Sequence, residues 1–506
     1  MNGQPHVVVV GAGPGGLAAA DGALAAGARV TLVDGEERPG GQYHRRPPGE
    51  PGPPAFARRR ARVLAHPRCA WLAETAVWAL ERRDEEERPP LVHVLRGPAD
   101  GADRPRSVLD ADALVLAPGA YDRVLPFPGW ELPGVVTAGA AQALAKGEGV
   151  AVGARVLVAG TGPFLLPVAA SLLAAGARVR EVCEANATST LARGWSARPW
   201  ELGAAGGKSA ELACYAALLA RHRVPLRVGR TVVEVRGDGR VEEAVTAALR
   251  PDWSVVPGTE RTVPVDAVCV GHGFTPQLEL PLAAGCALRN GFVAVDGDQR
   301  AGAPGVYAAG EITGIAGAPA ARAEGALAGW LAGGGDPRAR KLGPLRRARA
   351  QGRAFAHRLA RAHPIGPGWS GDEGWLRAAT VVCRCEETTY GALRAAVTAP
   401  ATGDPRVAKL VTRAGLGPCQ GRVCGRTVAE LTARLRGPGA GPGTGPGRKP
   451  DAQEDFVPYR RPVAQPIRLG ELAREPEPVS EPVPESEAVP EPEARPWHGP
   501  SSEESV

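Results

Sequence analysis

Residues 6–34 read HVVVVGAGPGGLAAADGALAAGARVTLVD. The four valines Val7–Val10 form a short apolar run of the kind that lies in a parallel sheet, buried on both faces. A glycine turn follows, then an Ala-rich stretch of high helix propensity, then a second strand ending at Asp34. G-x-G-x-x-G carries meaning only in this setting, between a strand and a helix of one βαβ unit, and here the setting is present. Gly11 permits the tight turn, Gly13 lets backbone approach a pyrophosphate, and Gly16 allows the helix to pack closely on the strand. Asp34, 23 residues after Gly11, is placed to accept from a ribose hydroxyl.

Working outward, PGGQYHRR follows at once, where Gly41 again lets backbone lie against a ligand and Gln42 offers an amide. TAVWAL at 75–80, which contains Val77 of the cofactor-contacting set, and LVHVL at 91–95 alternate as strands. ADALVLAPGAYDR, 111–123, is a buried strand ending at Gly119, a turn of the kind flavoproteins with two dinucleotide domains use to pass between them. The first motif then repeats: RVLVAGTGPFLLPVAASLLAAGARVREVCEA, 155–185, is a second strand, G-x-G, helix and strand. Leu165 stands at the third glycine position and Cys183 where the acid should be, with Glu184 one place later, so NAD(P) binding by this unit is doubtful. APGVYAAGEITGIAGAPAARAEGALAGWLAG, 303–333, supplies a strand, the Gly310–Glu311 turn and a helix whose start suits ribityl and phosphate contacts.

Four of the nine cysteines fall close together near the end: Cys383 and Cys385 in C-x-C spacing, Cys419 and Cys424 in C-x4-C. The intervening segment reads as a short helix, a turn and a strand that fold the pairs toward each other. With no sign of secretion, four thiols at one point imply iron–sulfur or zinc rather than disulfides. Structural zinc usually brings C-x2-C knuckles, so the spacing favours a [2Fe–2S] cluster, with zinc as the alternative. Gly415, Gly417, Gly421 and Gly425 let N–H groups approach sulfur, and a helix from Arg426 can point its N-terminus at the same charge. The other cysteines, Cys69, Cys183, Cys214, Cys269 and Cys286, are spaced as small buried hydrophobes.

At 506 residues the chain can form several domains. The N-terminus enters a strand almost immediately and no apolar run reaches ~18 residues, so neither a signal peptide nor a membrane span is expected and the reading is cytoplasmic. Residues 475–506 hold nine Glu and one Arg, a net −8 against +6 for the whole, which leaves +14 on the remainder. No stacking-aromatic or helix-turn-helix pattern accompanies that charge, so nucleic acid is not an expected partner. A basic helix from Pro337 to His363 reads as a linker laid on the body.

These motifs, with LAPGAYDRVLPFPGWELPGVVTAGA and AAGEITGIAGAPAA, resemble the larger FAD-dependent family of opine-oxidase and hydrogen-cyanide-synthase type flavoprotein subunits. They also resemble the alpha subunits of dye-linked proline and hydroxyproline dehydrogenases and of heteromeric sarcosine oxidase. The resemblance spans residues 6 to about 435. It implies an α/β chain of two interleaved Rossmann-like domains of the glutathione-reductase type plus a small α+β BFD-like [2Fe–2S] domain. The expected boundaries are 1–145 and 271–335 for the FAD domain, 151–270 for the second dinucleotide domain, 336–375 for the linker helix, 376–436 for the cluster domain, and 437–506 for a Pro/Gly/Glu-rich, largely disordered tail, within which FVPYRRPVAQPIRLGELA, 456–473, is expected to lie extended on the surface. It also implies a beta subunit resembling glycine or D-amino-acid oxidases, a small amine or amino-acid substrate, and an electron acceptor reached from flavin through the cluster. A stand-alone NAD(P)H-dependent FAD/[2Fe–2S] reductase is the alternative. No general base is identified, since His44 and His272 sit in turns where histidine is more often structural.

Overall fold

The computed structural model describes residues 4–47, 49–83, 87–197, 206–399, 405–437 and 463–477. The opening strand, His6–Val10, is central: it pairs in parallel with Arg29–Val33 on one side and Ala113–Leu116 on the other. Cys69–Leu72 and Val306–Ala308 complete a five-stranded parallel sheet. Val7, Val8 and Val9 have no exposed surface, which is why the run is unbroken rather than alternating.

The second unit repeats this plan. Strands 226–228, 178–184, 155–160, 267–271 and 135–137 form a parallel sheet in that order. Each sheet is accompanied by a three-stranded antiparallel meander, Thr75–Glu81, Leu91–Arg96 and Arg106–Leu109 in the first unit, Arg230–Arg236, Glu243–Ala248 and Arg261–Pro264 in the second. The edge strands interleave the two: Val135–Thr137 precedes the second unit, and Val306–Ala308 returns to the first after it.

That return brings the helix Ala318–Ala332 onto the fingerprint helix Pro14–Ala26. Their backbones touch. A Cβ on Gly325 would lie 1.9 Å from the Gly15 carbonyl oxygen, and one on Gly329 1.9 Å from that of Ala19. The seam therefore admits only glycine at those two places.

The cysteine segment shares a core with the second unit. Trp253, Trp369 and Trp375 are buried together, Trp375 Nε1 donating to the Pro126 carbonyl at 3.0 Å and Trp130 Nε1 to that of Val381 at 2.5 Å. So the end of the stretch expected to be a linker contributes to the core, while its helix, Leu342–Ala362, lies against the helix Thr188–Ser196.

Several expectations need correction. The segment Thr388–Thr398, expected as a short helix, a turn and a strand, is instead a two-residue strand, Thr388–Thr389, followed by the helix Tyr390–Thr398, and a second helix, Pro405–Thr412, comes before the second cysteine pair. Within the region expected to be a disordered tail, residues 463–477 are ordered and docked on the first unit's meander, anchored by Glu471 against Arg104 at 2.8 Å. The Gly/Pro spacer and the Pro–Glu repeats lie outside the described residues. Cys214 is exposed and Cys69 half-buried, whereas Cys183, Cys269 and Cys286 are buried.

Candidate functional site

A cleft of about 2480 Å³ opens at the C-terminal ends of the first sheet's strands and runs between the two units. Typical small-molecule pockets occupy about 300–1,000 Å³, so this one has room for a dinucleotide and more. Gly11, Gly13, Asp34, Gly41, Gln42, Val77, Gly119, Gly310 and Glu311 all line it. Gly16 does not, because it packs inside the turn, where a Cβ would lie 1.6 Å from the Gly11 carbonyl oxygen. Gly11 itself takes φ +99°, the left-handed region, with its Cα side against Ala117.

Asp34 is held in place from two sides: Oδ2 accepts from the Ala12 amide at 2.5 Å and Oδ1 from the Glu36 amide at 2.9 Å. Burial nevertheless pushes its carboxyl above the usual range. Gln42 is exposed, and its amide oxygen accepts from Arg45 Nε at 3.0 Å, so part of the offered amide is already engaged. Above Gly41, His44 stacks on Phe56 at 4.1 Å. Burial, together with Arg322, Lys146, Arg46 and Arg59, lowers its pKa to about 4, leaving a neutral imidazole inside a cationic rim.

Glu311 faces the cleft with no hydrogen-bond donor among the described residues, and burial pushes its carboxyl up to about 7. Its turn is fixed by Glu324, whose Oε2 accepts from the Gly310 amide at 2.9 Å and from Thr313 Oγ1 at 2.8 Å. Sequence reasoning misses Glu324, since a glutamate in an Ala/Gly helix carries no local signal for this role. His272 is buried, with Nδ1 accepting from the Leu125 amide at 3.3 Å and a pKa lowered to about 3 by burial. It serves the crossover strand as a neutral acceptor.

These observations fit FAD. Glycines replace side chains along a channel, a Cβ on Gly13 would meet nothing nearer than the Gly41 Cα at 4.0 Å, cations ring the fingerprint, and an unpartnered carboxyl waits at the far end.

The second fingerprint is built differently. A bulge lets the strand Arg178–Glu184 slip by one residue against Arg155–Gly160, so Glu184, not Cys183, reaches the place of the acid. Its carboxylate is already occupied: it accepts from Thr161 Oγ1 at 2.7 Å, the Gly162 amide at 2.8 Å and the Asn186 amide at 2.9 Å, and His363 Nδ1 lies 3.3 Å away. The following helix begins at Leu165, five residues after Gly160, whereas the first unit's begins at Pro14, three after Gly11. Leu165 is accommodated by this later start, which withdraws the free N–H groups a phosphate would need.

The four clustered cysteines lie by the loop that Arg422 and Val423 join to the cleft wall. The Cys424 thiol beside Cys383 and Cys419 lowers their pKa values to about 6 and about 4, and its own is raised. Cys385, raised chiefly by burial, bonds Cys419. The Gly415 amide donates to Cys383 Sγ at 3.4 Å. Among the described residues no group of three or more His, Cys, Asp or Glu is gathered so as to hold an ion. Four thiols are a donor set that either iron–sulfur or zinc uses. Arg422, Val423 and Arg426 carry the cleft wall up to this loop.

Residues 5–325 match the family model described as pyridine nucleotide-disulphide oxidoreductase. The chain belongs to this family. Membership makes it an FAD-dependent oxidoreductase. Among family relatives it is 34% identical to an opine oxidase subunit of Rhizobium meliloti over 93% of this chain and 87% of that one. It is 33% identical to hydrogen cyanide synthase subunit HcnB of Pseudomonas aeruginosa over 84% and 91%. The fold matches L-proline dehydrogenase from P. horikoshii with a TM-score of 0.62, at 20% identity, over 93% of this chain and 79% of that one. No described helix is long and apolar enough to cross a membrane.

Proposed function

We propose that the chain is the FAD- and [2Fe–2S]-carrying subunit of a heteromeric amine or amino-acid oxidoreductase, taking electrons at flavin and passing them through the cluster to an acceptor. The observation that carries this is the continuity of the cleft, which is lined by Gly11 and Glu311 at one end and by Arg422–Val423, next to Cys424, at the other. In this reading Gly11, Gly13 and Gly41 admit the pyrophosphate, Asp34 and Glu311 accept from sugar and ribityl hydroxyls, and Val77 and Gly119 bound the channel. Bound flavin accepts electrons in pairs and a [2Fe–2S] cluster handles them singly, so the two together suit a relay.

Substrate oxidation itself is assigned to a partner. The opine oxidase and sarcosine oxidase relatives are themselves named as subunits, which supports a second chain, of glycine- or D-amino-acid-oxidase type. The relatives' names, opine oxidase and sarcosine oxidase, support an amine or amino acid as the substrate class.

The rival reading, a stand-alone NAD(P)H reductase, draws on Thr161 and Gly162 lining the same cleft. The internally satisfied Glu184 stands against it. The test is an anaerobic optical titration of the purified, iron-reconstituted chain. Under the proposal neither NADH nor NADPH bleaches the flavin, and an amino acid does so only with the partner present. Rapid bleaching by either nucleotide overturns it.

A further inference from the structure

The loop between Cys419 and Cys424 carries Arg422 at its centre, and the side chain leaves the loop altogether. Its Nε donates to Tyr121 Oη at 2.9 Å, its Nη2 to the Ala464 carbonyl at 2.8 Å, and the Glu279 carboxylate lies 3.5 Å away. Tyr121 closes the triangle by donating to Glu279 Oε1 at 3.2 Å. Tyr121 belongs to the strand Ala120–Asp122, directly after Gly119, and lines the cleft, while Glu279 opens the helix Glu279–Ala283 beside it. Ala464 lies far beyond the cysteines in sequence, in the ordered segment 463–477.

That segment is firmly built. The Ala464 amide donates to the Trp78 carbonyl at 2.6 Å, and Val463 and Ile467 pack on Trp78, Ala79 and Leu95. Arg104 grips Glu471 with two hydrogen bonds of 2.8 and 3.1 Å, with side chains only 9% and 1% exposed. The Arg106 guanidinium donates to the Leu472 carbonyl at 2.8 Å, and the Glu477 amide donates to the Arg106 carbonyl at 2.7 Å. Ordering a terminal segment costs backbone and side-chain entropy, so it stays docked only where such contacts offset that loss. The C-x-C pair has separate supports, Trp130 on Val381 and Arg384 over the Trp130 ring, and the helix after Cys424 has Thr427 on the Val124 carbonyl and Glu430 on Arg123. Neither reaches the middle of the C-x4-C loop.

We infer that Arg422 is a positioning residue and that segment 463–477 is the strap that holds it: together they clamp the C-x4-C loop at a fixed separation from the Gly119–Tyr121 turn. The inference rests on the relay reading for its purpose, because the probability of electron passage between two centres falls steeply with distance, but the clamp itself is a property of this chain without iron.

The test uses the full-length chain as wild type and as Arg422→Ala, Arg422→Lys and Glu471→Ala. In the iron-free, fully reduced protein, the rate of Cys419 alkylation by iodoacetamide is read by mass spectrometry. Arg422→Ala and Glu471→Ala are each expected to raise it fivefold or more, the double variant no further than either, with flavin content unchanged. Lysine can reach Tyr121 Oη or the Ala464 carbonyl but not both, so Arg422→Lys should fall between wild type and alanine. After reconstitution, the EPR line shape of the dithionite-reduced cluster should broaden in the same order. Alkylation less than fivefold above wild type in both Arg422→Ala and Glu471→Ala overturns the clamp. Should Arg422→Ala fail to fold, Glu471→Ala alone decides by the same threshold. Failure of every form, wild type included, to take up iron would sink the relay reading and leave the alkylation result to judge the clamp.

Discussion

Replacing Glu311 by glutamine should act in opposite directions on the empty and the flavin-loaded protein. Burial raises this carboxyl from 4.5 to about 7, with no donor to offset the loss of water. Each tenfold change in acidity is worth 1.36 kcal/mol, so keeping Glu311 ionised costs the folded chain up to about 3 kcal/mol, and about 1–3 kcal/mol once water in the open cleft is allowed for. The sign follows from a folded pKa above the unfolded one. The handicap is absent below pH 4.5, grows as pH rises, and is complete above about 7. Flavin-stripped Glu311→Gln should therefore melt higher than wild type at pH 8.5, by about 2–12 °C at roughly 2–4 °C per kcal/mol, with the gap narrowing toward pH 5. In the loaded protein a ligand hydroxyl supplies the missing donor, so the same substitution should weaken FAD retention, by about tenfold for one charge-assisted hydrogen bond. Differential scanning fluorimetry at the two pH values, and flavin release monitored by fluorescence, measure both arms. An equal change in melting temperature at pH 5 and 8.5, or a lower one at 8.5, would refute the reasoning.

Gly16→Ala places a methyl 1.6 Å from the Gly11 carbonyl oxygen; the turn must open, and we expect purified protein with less than a tenth of the wild-type flavin absorbance. Asp34→Ala strips the acceptor from the Ala12 and Glu36 amides and should cost about 1–3 kcal/mol in denaturant midpoint besides weakening FAD. Trp253→Ala empties a fully buried site and frees Asn186 Oδ1, so a loss of about 3–5 kcal/mol is expected in chemical denaturation, seen first in the second unit. Cys424→Ser removes the thiol beside Cys383 and Cys419; iron content after reconstitution should drop below one atom in ten chains while flavin stays bound.

The first unit is legible because its signals are local. Val7–Val10, Gly11, Gly16 and Asp34 fall within one βαβ element, and each has a single steric or hydrogen-bonding reason to be what it is. The second unit is half legible. Counting residues from Gly160 lands on Cys183, and only the bulge in the strand Arg178–Glu184, invisible in a periodicity, restores an acid to that place and then consumes it. The cysteine pairs can be read from spacing, but the helix Pro405–Thr412 cannot be told from a strand in so short an apolar run. The strap 463–477 is legible only as an extended surface stretch over 456–473; its partners are not. Proline-rich polar sequence normally cannot bury enough apolar surface to order itself. This segment does so because Arg104, Trp78 and Leu95, more than 360 residues earlier for the ion pair, supply the partners.

The glycine seam between the helices Pro14–Ala26 and Ala318–Ala332 has a bearing on how the protein is made. The fingerprint helix emerges from the ribosome with its packing partner still unsynthesised, and at about 5–20 residues per second that partner arrives roughly 15–60 s later. In that interval the second unit's sheet can form, with Trp253 still waiting for Trp369 and Trp375, while the flavin-side sheet lacks the edge strand Val306–Ala308. The nascent chain thus acquires its domains in reverse order, and FAD can act as a late closing ligand rather than a template.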